Sequence, residues 1–546
     1  MTDEYDGPVL DEGGQVFNVT NPAYGALGNT LWCSSSNASA GDPRRPQAGA
    51  VINAGSTTLV STGAVFTSGD VGKVVTIQGA GTSGAVFTST VASYVSTTNV
   101  TLTSAAATSV PITSPGNFTI GTDDTAAIVG ALSAAGPGGR VLLPPGIFTV
   151  RGASNGGHPI AIAGKGGLVG YGGHSTPGTS TPNTTLLCAD AAAGVAITGS
   201  GTYQGFIVDG NHISATPLQN TGGGNATFVD VWATGSTGAG WTITGVAGNA
   251  YYDCGSVSNL TDGVYIDGGA SNLHFNHWME FSNQRYGIHG DVALGGNPTG
   301  IRFYSGICDA GSASGQSKVY IKGGIDWAFR SMDIVGNNNI SGPCIVLDQT
   351  SGYGYDFTDC WIWASTVHSN PGTPCIKITG SPGSGTAYTF LRTDGVQFVA
   401  GDNSVYIDTV GSYRYAAANW NYDGTNGPYA PAGLPPIDVL LTGRTGAWNT
   451  VAAGGNWNGS LGYRVNADGT IQLKGSLNLN LLSSPTGTMV TLPAGYRPST
   501  TLTVPIVFYS GSGYVTIAPS GAITGTVVTG TVGGGAFFDG VAFPIS

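Results

Sequence analysis

A repeated strand pattern between about residue 200 and residue 410 constrains the fold more than any other feature of this sequence. Large aromatic residues recur there at steps of 22, 24, 23, 28, 26, 28 and 33 residues. They are Phe206, Phe228, Tyr252, Phe275, Phe303, Phe329, Phe357 and Phe390. A second pattern of alternating apolar and polar residues runs beside it at 263–267, 287–291, 318–322, 344–348, 375–379 and 404–408. Two strand signals with one shared period predict a solenoid whose coils all place the same aromatic position inside.

The composition agrees with a fold built from short strands and tight turns. Glycine accounts for 91 of the 546 residues, hydrophobic residues for 40% and charged residues for only 9%. Abundant glycine favours turns, and a low content of charged helix formers disfavours a large helical domain. We therefore expect an all-β protein whose main body is a right-handed parallel β-helix.

Charge and cysteine content exclude several classes of function. The net charge is −12, and Lys and Arg form no run that could neutralise phosphates, so we expect no nucleic-acid ligand. The first residues lack the basic and apolar regions of a signal peptide, and no apolar stretch is long enough to span a bilayer. We therefore expect synthesis in a cytoplasm and no membrane insertion. Seven cysteines without metal-type spacing predict buried free thiols, with no disulfide framework, metal or cofactor.

Shifts in composition divide the chain into four parts. They are an irregular attachment segment at 1–47, a small β domain at 48–118, the β-helix at 119–430 and a β-sandwich or jelly roll at 437–546. One amphipathic helix is predicted after Asp123 and Asp124, just before the first strands of the β-helix. Its position favours a role in covering the open end of the strand stack.

Outward-facing carboxylates of the coils are the candidates for catalysis. If the aromatic positions point inward, alternation along each strand predicts which side chains point outward. Glycoside hydrolysis needs two carboxylates roughly 5–9.5 Å apart, a separation that stacked strands about 4.8 Å apart can supply. The candidate catalytic residues are Glu280, Asp309 and Asp333. One would protonate the leaving oxygen while another acts as base or nucleophile, although outward aspartates on such coils also serve as solvated or turn-capping residues.

Cationic and aromatic side chains beside these acids are the candidates for substrate binding. They are His274, Arg302, Tyr304, Arg330, Trp361 and Trp363. In a lyase, the arginines would hold a uronate carboxylate and His274 or Tyr304 would abstract a proton. Both tryptophans alternate with Ile362 and should face outward, where an indole suits either the apolar side of a sugar ring or a seam between subunits.

Several segments resemble phage tail proteins. The stretch from Thr122 to Phe148 resembles the opening of pectate-lyase-superfamily β-helices found in phage tailspikes. Residues 66–75 resemble small β domains of phage minor tail proteins, and residues 491–498 are similar to C-terminal domains of tail fibres. The resemblance implies a homotrimer on the virion tail that is attached to other tail proteins through its N-terminal segment and faces a host cell-surface glycan.

The enzymatic motifs of polygalacturonase-like members do not carry over. At His289-Gly290 the expected leading glycine is replaced by Ile288, and no Arg-x-Lys follows. Three hypotheses therefore stay open. The chain is a receptor-binding phage tail protein, a tailspike depolymerase acting as hydrolase or lyase, or a cellular polysaccharide enzyme. The tail-fibre-like C-terminal segment and the absence of a signal peptide favour the first two, and the missing motifs favour receptor binding.

Overall fold

The structure, a computed structural model, is built almost entirely of β-strands. It describes residues 16–34, 44–152, 158–162, 166–173, 183–309, 317–336, 343–363, 375–379, 389–394, 396–399, 407–409, 413–418, 439–441, 449–454, 457–465, 470–479, 488–508, 511–530, 535–538 and 541–544. The chain divides into two compact units. One comprises Met1–Thr389 with Phe398–Ser412, and the other comprises Phe390–Gln397 with Tyr413–Ser546.

The N-terminal part of the first unit is a small antiparallel β domain. Its seven-stranded sheet has the order Leu31–Cys33, Phe118–Gly121, Val74–Ile77, Phe87–Ser96, Asn99–Leu102, Thr58–Ser61 and Ala50–Val51. Two 3-10 turns lie at Ser68–Asp70 and Thr82–Gly84. The domain is fastened to the β-helix by a buried hydrogen bond of 2.9 Å that the side-chain amide of Asn211 donates to the Thr76 hydroxyl.

The predicted helix is present at Thr125–Ala135. Ile128 and Ala131 are buried, and the helix packs against strands Val16–Asn18, Arg140–Leu142 and Ile160–Ile162. Gly136 ends it with a φ of 59°, the left-handed conformation that favours glycine at a helix C-terminus. A role for the helix in covering the strand stack stays a prediction.

Asp124, immediately before the helix, has a structural task. Its carboxylate accepts hydrogen bonds from the backbone N–H groups of Leu27 and Gly28, at 2.8 and 3.1 Å. Burial raises its pKa to about 6 despite these two donors. The side chain therefore ties the N-terminal segment to the first coil.

The body of the first unit is a parallel β-helix, as the sequence predicts. Its strands pair in parallel between successive coils and form three sheets. The strands are Arg140–Leu142, Gly146–Val150, Ile160–Ile162, Gly166–Val169, Thr184–Cys188, Val195–Ile197, Gly201–Asp209, Leu218–Thr221, Ala226–Thr234, Trp241–Thr244, Ala250–Tyr252, Gly255–Val257, Val264–Asp267, Ser271–Phe281, Ile288–Gly290, Thr299–Asp309, Val319–Val335, Ile345–Thr358, Trp361–Trp363, Ile376–Thr379 and Ile407–Thr409. Several of these strands turn a corner and contribute to two sheets.

The first sheet contains the aromatic stack. Its inward rings are Tyr203, Phe228, Tyr251, Phe275, Phe303, Phe329 and Phe357. Consecutive ring centroids lie 4.3 to 5.2 Å apart with nearly parallel planes. Such offset stacks add favourable contacts to the burial of apolar area. The aromatic stack thus confirms five of the eight aromatic positions that the sequence predicted to face inward.

Two of the predicted inward-facing aromatic positions were wrong by a few residues. Tyr203, and not Phe206, pairs with Phe228, while Phe206 pairs with Val231 in the next sheet. Tyr251, and not Tyr252, pairs with Phe275, and Tyr252 is 43% exposed. Both errors arise because two aromatics lie close together in sequence and only one of them faces inward. The side chain of the eighth position, Phe390, lies outside the described residues.

A left-handed residue marks the corner between the first and second sheets in seven consecutive coils. The corner residues are Gly205, Asp230, Asp253, His277, Ser305, Ser331 and Asp359, with φ between 51° and 69°. The corner residue itself points outward. The inward–outward alternation of side chains after the corner is therefore shifted by one residue from the alternation before it. In the second sheet, one residue of each coil pairs with the equivalent residue of the next. These register partners are Val208, Ala233, Ser256, Glu280, Cys308, Ile334 and Ile362.

The third sheet corresponds to the second sequence pattern. Val264, Ile288, Val319, Ile345 and Ile376 align between coils and are buried. In the last coil the backbone of Ile407 pairs with Ile376, two residues beyond the position the pattern gave. All seven cysteines are free and buried, as predicted, and burial raises the pKa of the Cys344 thiol to about 12.

The second unit contains two antiparallel sheets with one shared hydrophobic core. The smaller sheet has strands Asn449–Ala452, Ser460–Val465, Thr470–Lys474 and Ala542–Pro544. The larger has Trp457–Asn458, Ser476–Leu479, Gly535–Phe537, Leu502–Phe508, Gly511–Ile517, Ala522–Gly530 and Thr488–Thr491. Leu461 and Ile471 of one sheet belong to the same buried cluster as Leu477 and Val515 of the other. Further strands lie outside these two sheets, at Thr389–Asp394, Gln397–Val399, Tyr413–Ala418 and Val439–Leu441, and the first two of them include residues of both units.

Candidate functional site

The outer face of the first sheet brings four of the predicted binding residues together. His274 and Arg302 are neighbours in adjacent coils, and so are Tyr304 and Arg330. The rings of His274 and Tyr304 stack with centroids 6.1 Å apart. The guanidinium of Arg330 lies 5.8 Å from the centroid of the Tyr304 ring, a cation–π distance. The face thus presents aromatic surface and positive charge side by side.

Carboxylates hold the two arginines of this face. Arg302 pairs with the carboxylate of Asp326, and Arg330 lies 3.9 Å from the carboxylate of Asp356. Arg330 and Asp326 are largely exposed, so solvent screens these pairs and they contribute little to stability. The half-exposed Arg330 guanidinium therefore remains available to an incoming polar ligand, whereas Arg302 is 22% exposed and donates to both the carboxylate and the backbone carbonyl of Asp326.

The outer face of the second sheet carries the predicted tryptophans beside a carboxylate. Trp361 pairs with Asp333 in the adjacent coil. The indole rings of Trp361 and Trp363 stack with centroids 5.4 Å apart and an interplanar angle of 24°. Trp361 is 37% exposed, so the stacked pair leaves apolar aromatic surface open to solvent. Both tryptophans face outward, as alternation predicts.

Asp309 and Asp333 lie on the same outer face in adjacent coils. Ile307 is the register partner of Asp333, so Asp309 is one strand away and two residues further along. Strand spacing and rise place the two Cα atoms about 8 Å apart. Partial burial raises the pKa of Asp333, which keeps a proton on this carboxyl to higher pH. The spacing and the proton affinity both fit a carboxylate pair.

Glu280 does not belong to this surface, contrary to the prediction from strict alternation. Its side chain is fully buried inside the coil. Trp278 and Ser256 donate hydrogen bonds to it, and the Asn283 amide donates another at 2.7 Å. The left-handed corner at His277 shifts the alternation by one residue, so Trp278 and Glu280 both point inward. Glu280 and Asp333 are therefore on opposite sides of the coil wall.

The third sheet carries a cluster that sequence reasoning missed. Its centre is His289, whose Nδ1 lies 2.8 Å from Oδ2 of Asp262. Arg285 donates to both carboxylate oxygens of Asp262, with its Nε 2.7 Å from Oδ1, and its Nη2 also lies 3.3 Å from Nδ1 of His289. Asp262 and His289 are almost completely buried. The result is an imidazole held by a carboxylate that an arginine in turn clamps.

Three tyrosine rings surround His289. Tyr265 and Tyr320 are its register partners in the two neighbouring coils, with ring centroids 5.0 and 5.4 Å away. Tyr286 lies 5.0 Å away and stacks on Tyr320 at 4.9 Å. The signal was present in the sequence, because Tyr265, His289 and Tyr320 occupy the same place in three successive copies of the second pattern.

The aspartate and the tyrosines of this cluster have pKa values shifted in opposite directions. Burial alone would raise the pKa of Asp262, but hydrogen bonds from Arg285 and His289 outweigh it and hold the pKa below its usual value. Burial raises the pKa of Tyr265 and Tyr320. At neutral pH the cluster therefore combines an ionised Asp262 with protonated tyrosines.

Two further charged side chains border the cluster. Oδ2 of Asp291 lies 3.9 Å from Nε2 of His289, and Oδ1 of Asp291 lies 3.9 Å from Nζ of Lys322. Within the described ranges no group of three or more His, Cys, Asp or Glu side chains is placed to hold a metal ion. No helix in the described part of the chain is long and apolar enough to cross a membrane.

No protein-family model matches the chain, and no curated protein matches its sequence. Solved structures with a similar fold include the A-module of mannuronan C-5 epimerase AlgE4 from Azotobacter vinelandii. It is 17% identical, with a TM-score of 0.43 over 59% of this chain and 96% of that one. The catalytic domain of a GH87 α-1,3-glucanase is 12% identical, with a TM-score of 0.37 over 76% and 89%. The enzymatically active domain of tailspike protein 2 from bacteriophage CBA120 is 11% identical, with a TM-score of 0.37 over 78% and 68%.

Proposed function

We propose that this chain is a phage tail protein that binds cell-surface polysaccharide along the outer faces of its β-helix. The observation that carries the proposal is the stacked, outward-facing pair Trp361 and Trp363 beside Asp333. Flat indoles suit the apolar face of a sugar ring, and a neighbouring carboxylate can accept hydrogen bonds from its hydroxyl groups. A repeating polymer matches a surface that itself repeats from coil to coil.

The neighbouring first sheet extends the same surface with a different chemistry. Tyr304 offers a ring, and Arg330 offers an exposed guanidinium group that can bind hydroxyl or carboxylate oxygens of a glycan. The phage assignment rests on the resemblance of residues 66–75, 122–148 and 491–498 to phage tail proteins. A homotrimer, attachment to other tail proteins through residues 1–47 and a place on the virion tail belong to the same proposal.

A tailspike depolymerase is the second candidate, and the spacing of Asp309 and Asp333 favours it. The Cα atoms of these two residues lie about 8 Å apart in adjacent coils, and side chains on one face at that spacing can bring their carboxyl groups within the roughly 6.5–9.5 Å that inverting glycosidases use. Asp333, with its raised pKa, would be the general acid and Asp309 the base that activates water. Glu280 is too deeply buried to share this surface.

One assay separates the two candidates. Purified full-length protein is incubated with capsular and O-antigen polysaccharides, and new reducing ends are followed beside binding. Binding without new reducing ends supports an adhesin. New reducing ends that are lost in Asp309→Asn and Asp333→Asn, but retained in Asp253→Asn at a coil corner, support the depolymerase. If the protein neither binds nor cleaves any of these polymers, the proposed function is wrong.

A further inference from the structure

The dyad of Asp262 and His289 fixes which nitrogen of the imidazole can act as a base. A carboxylate 2.8 Å from Nδ1 is best satisfied when Nδ1 carries the ring proton. The lone pair of the neutral ring then lies on Nε2. Nε2 receives no hydrogen bond from any described residue, since the nearest carboxylate oxygen, on Asp291, is 3.9 Å away. His289 is therefore oriented as a general base.

Tyr320 is the best-placed proton donor beside this base. It is the register partner of His289 in the next coil, and burial raises the pKa of its hydroxyl. The hydroxyl of Tyr265 on the other side is already committed, because it donates to Oδ2 of Asp267 at 2.6 Å. A base and an acid from adjacent coils thus lie side by side on the third sheet, with ring centroids 5.4 Å apart.

The same pair has cations at its edge. Lys322 follows Tyr320 by two residues on the same strand, and its side chain is 44% exposed. Arg285 is 42% exposed and packs its guanidinium 5.2 Å from the centroid of the Tyr286 ring. Among the described contacts of His289, none is with a serine, threonine or cysteine that could act as a nucleophile. The arrangement suits proton transfer and not acyl transfer.

We propose that the cluster around His289 is a catalytic site for β-elimination in a uronate-containing polysaccharide. Lys322 binds the carboxylate of the uronate, which makes its C5 proton more acidic. Nε2 of His289 takes that proton, a double bond forms between C4 and C5, and the C4–O4 bond breaks. The Tyr320 hydroxyl gives its proton to O4. Asp262 is a positioning residue for His289. The inference rests on the proposed function only in taking a polysaccharide as ligand.

The test uses the full-length protein with polygalacturonate, alginate and hyaluronan as probes. Ultraviolet absorbance of the unsaturated uronate reports elimination, and affinity electrophoresis of the same samples reports binding. We expect elimination of at least one polymer, with rates at least about 100-fold lower in His289→Gln and Tyr320→Phe. Asp262→Asn should lower kcat and leave KM unchanged, a pattern that a loss of general stability does not produce.

His277→Gln is the matched control. His277 also pairs with an aspartate, Asp253, at 2.7 Å, but both side chains are about half exposed at a coil corner. This variant should retain the wild-type elimination rate. Tyr320→Phe keeps the stacked ring, and its thermal unfolding should match the wild type, so a loss of activity there is not a loss of fold.

Each other outcome is decisive. If the protein binds one of the polymers and produces no absorbance with any, the β-elimination site is wrong and the polysaccharide-binding function stands. If His289→Gln eliminates at the wild-type rate, the site is also wrong. If the protein neither binds nor changes any of these polymers, the β-elimination site is wrong. The proposal that the protein binds acidic polysaccharides is then wrong as well.

Discussion

Inside the β-helix, the carboxyl group of Glu280 accepts a hydrogen bond of 2.7 Å from the side-chain amide of Asn283, and water reaches neither side chain. Burial raises the pKa of Glu280 well above its usual value, although Ser256, Trp278 and Asn283 all donate to it. The carboxyl group is thus a structural element of the coil interior, where burial favours its protonated form.

This burial predicts a pH dependence of stability. Because the folded pKa of Glu280 lies above the unfolded value of about 4.3, its contribution is fully present below that pH and is lost as the pH rises toward the folded pKa. Glu280→Gln cannot ionise, so its thermal midpoint should fall less than that of the wild type between pH 5 and pH 8. Asp309→Asn, on the outer face, should behave as the wild type. Equal midpoint changes in wild type and Glu280→Gln would contradict the assignment.

The register of the aromatic stack is tested by two adjacent tyrosines. Tyr251 is buried between Phe228 and Phe275, whereas Tyr252 is 43% exposed. Tyr251→Ala should lower the free energy of unfolding by about 3–5 kcal/mol, and Tyr252→Ala should change it by no more than about 0.5 kcal/mol. Urea unfolding followed by tryptophan fluorescence measures both. Equal effects would place the chain in another register.

The left-handed corner makes a third prediction. Ser305 has a φ of 55°, a conformation that costs an L-residue with a branched Cβ about 1–2 kcal/mol. Ser305→Val should therefore lower the free energy of unfolding by about that amount, and Ser305→Gly should be neutral or slightly stabilising. Denaturant unfolding of the two variants beside wild type measures the difference. A destabilising glycine and a neutral valine would mean that the corner is extended backbone.

The sequence predicted the β-helix because its repeat reflects a physical requirement, namely that every coil fills the same interior position. It did not predict the corner between the first two sheets, where Asp253, His277 and Ser305 adopt a conformation usually marked by glycine. That omission shifted the alternation and put Glu280 on the wrong face. Trp361 and Trp363 face outward, as their alternation with Ile362 predicted. Asp309 and Asp333 lie on the same face beside buried Cys308 and Ile334, while the role of all four stays a prediction.

The cluster on the third sheet was missed for a different reason. Asp262 and Arg285 are 23 residues apart in sequence, and only the coil register brings them together. The aligned positions of Tyr265, His289 and Tyr320 were visible in the repeat, but the carboxylate that orients His289 lies in the turn before the strand, where coil lengths vary. Polar contacts between turns of unequal length cannot be read from periodicity.

The central claim, that the tryptophan-bearing face binds polysaccharide, is tested most directly by a binding measurement. Full-length wild type, Trp361→Ala, Trp363→Ala and Tyr252→Ala are applied to immobilised capsular and O-antigen polysaccharides. We predict binding of at least one polymer by the wild type and by Tyr252→Ala, and a loss of about tenfold or more in affinity, about 1.4 kcal/mol, in each tryptophan variant. Wild-type affinity in both tryptophan variants, or no binding by the wild type, would contradict the account.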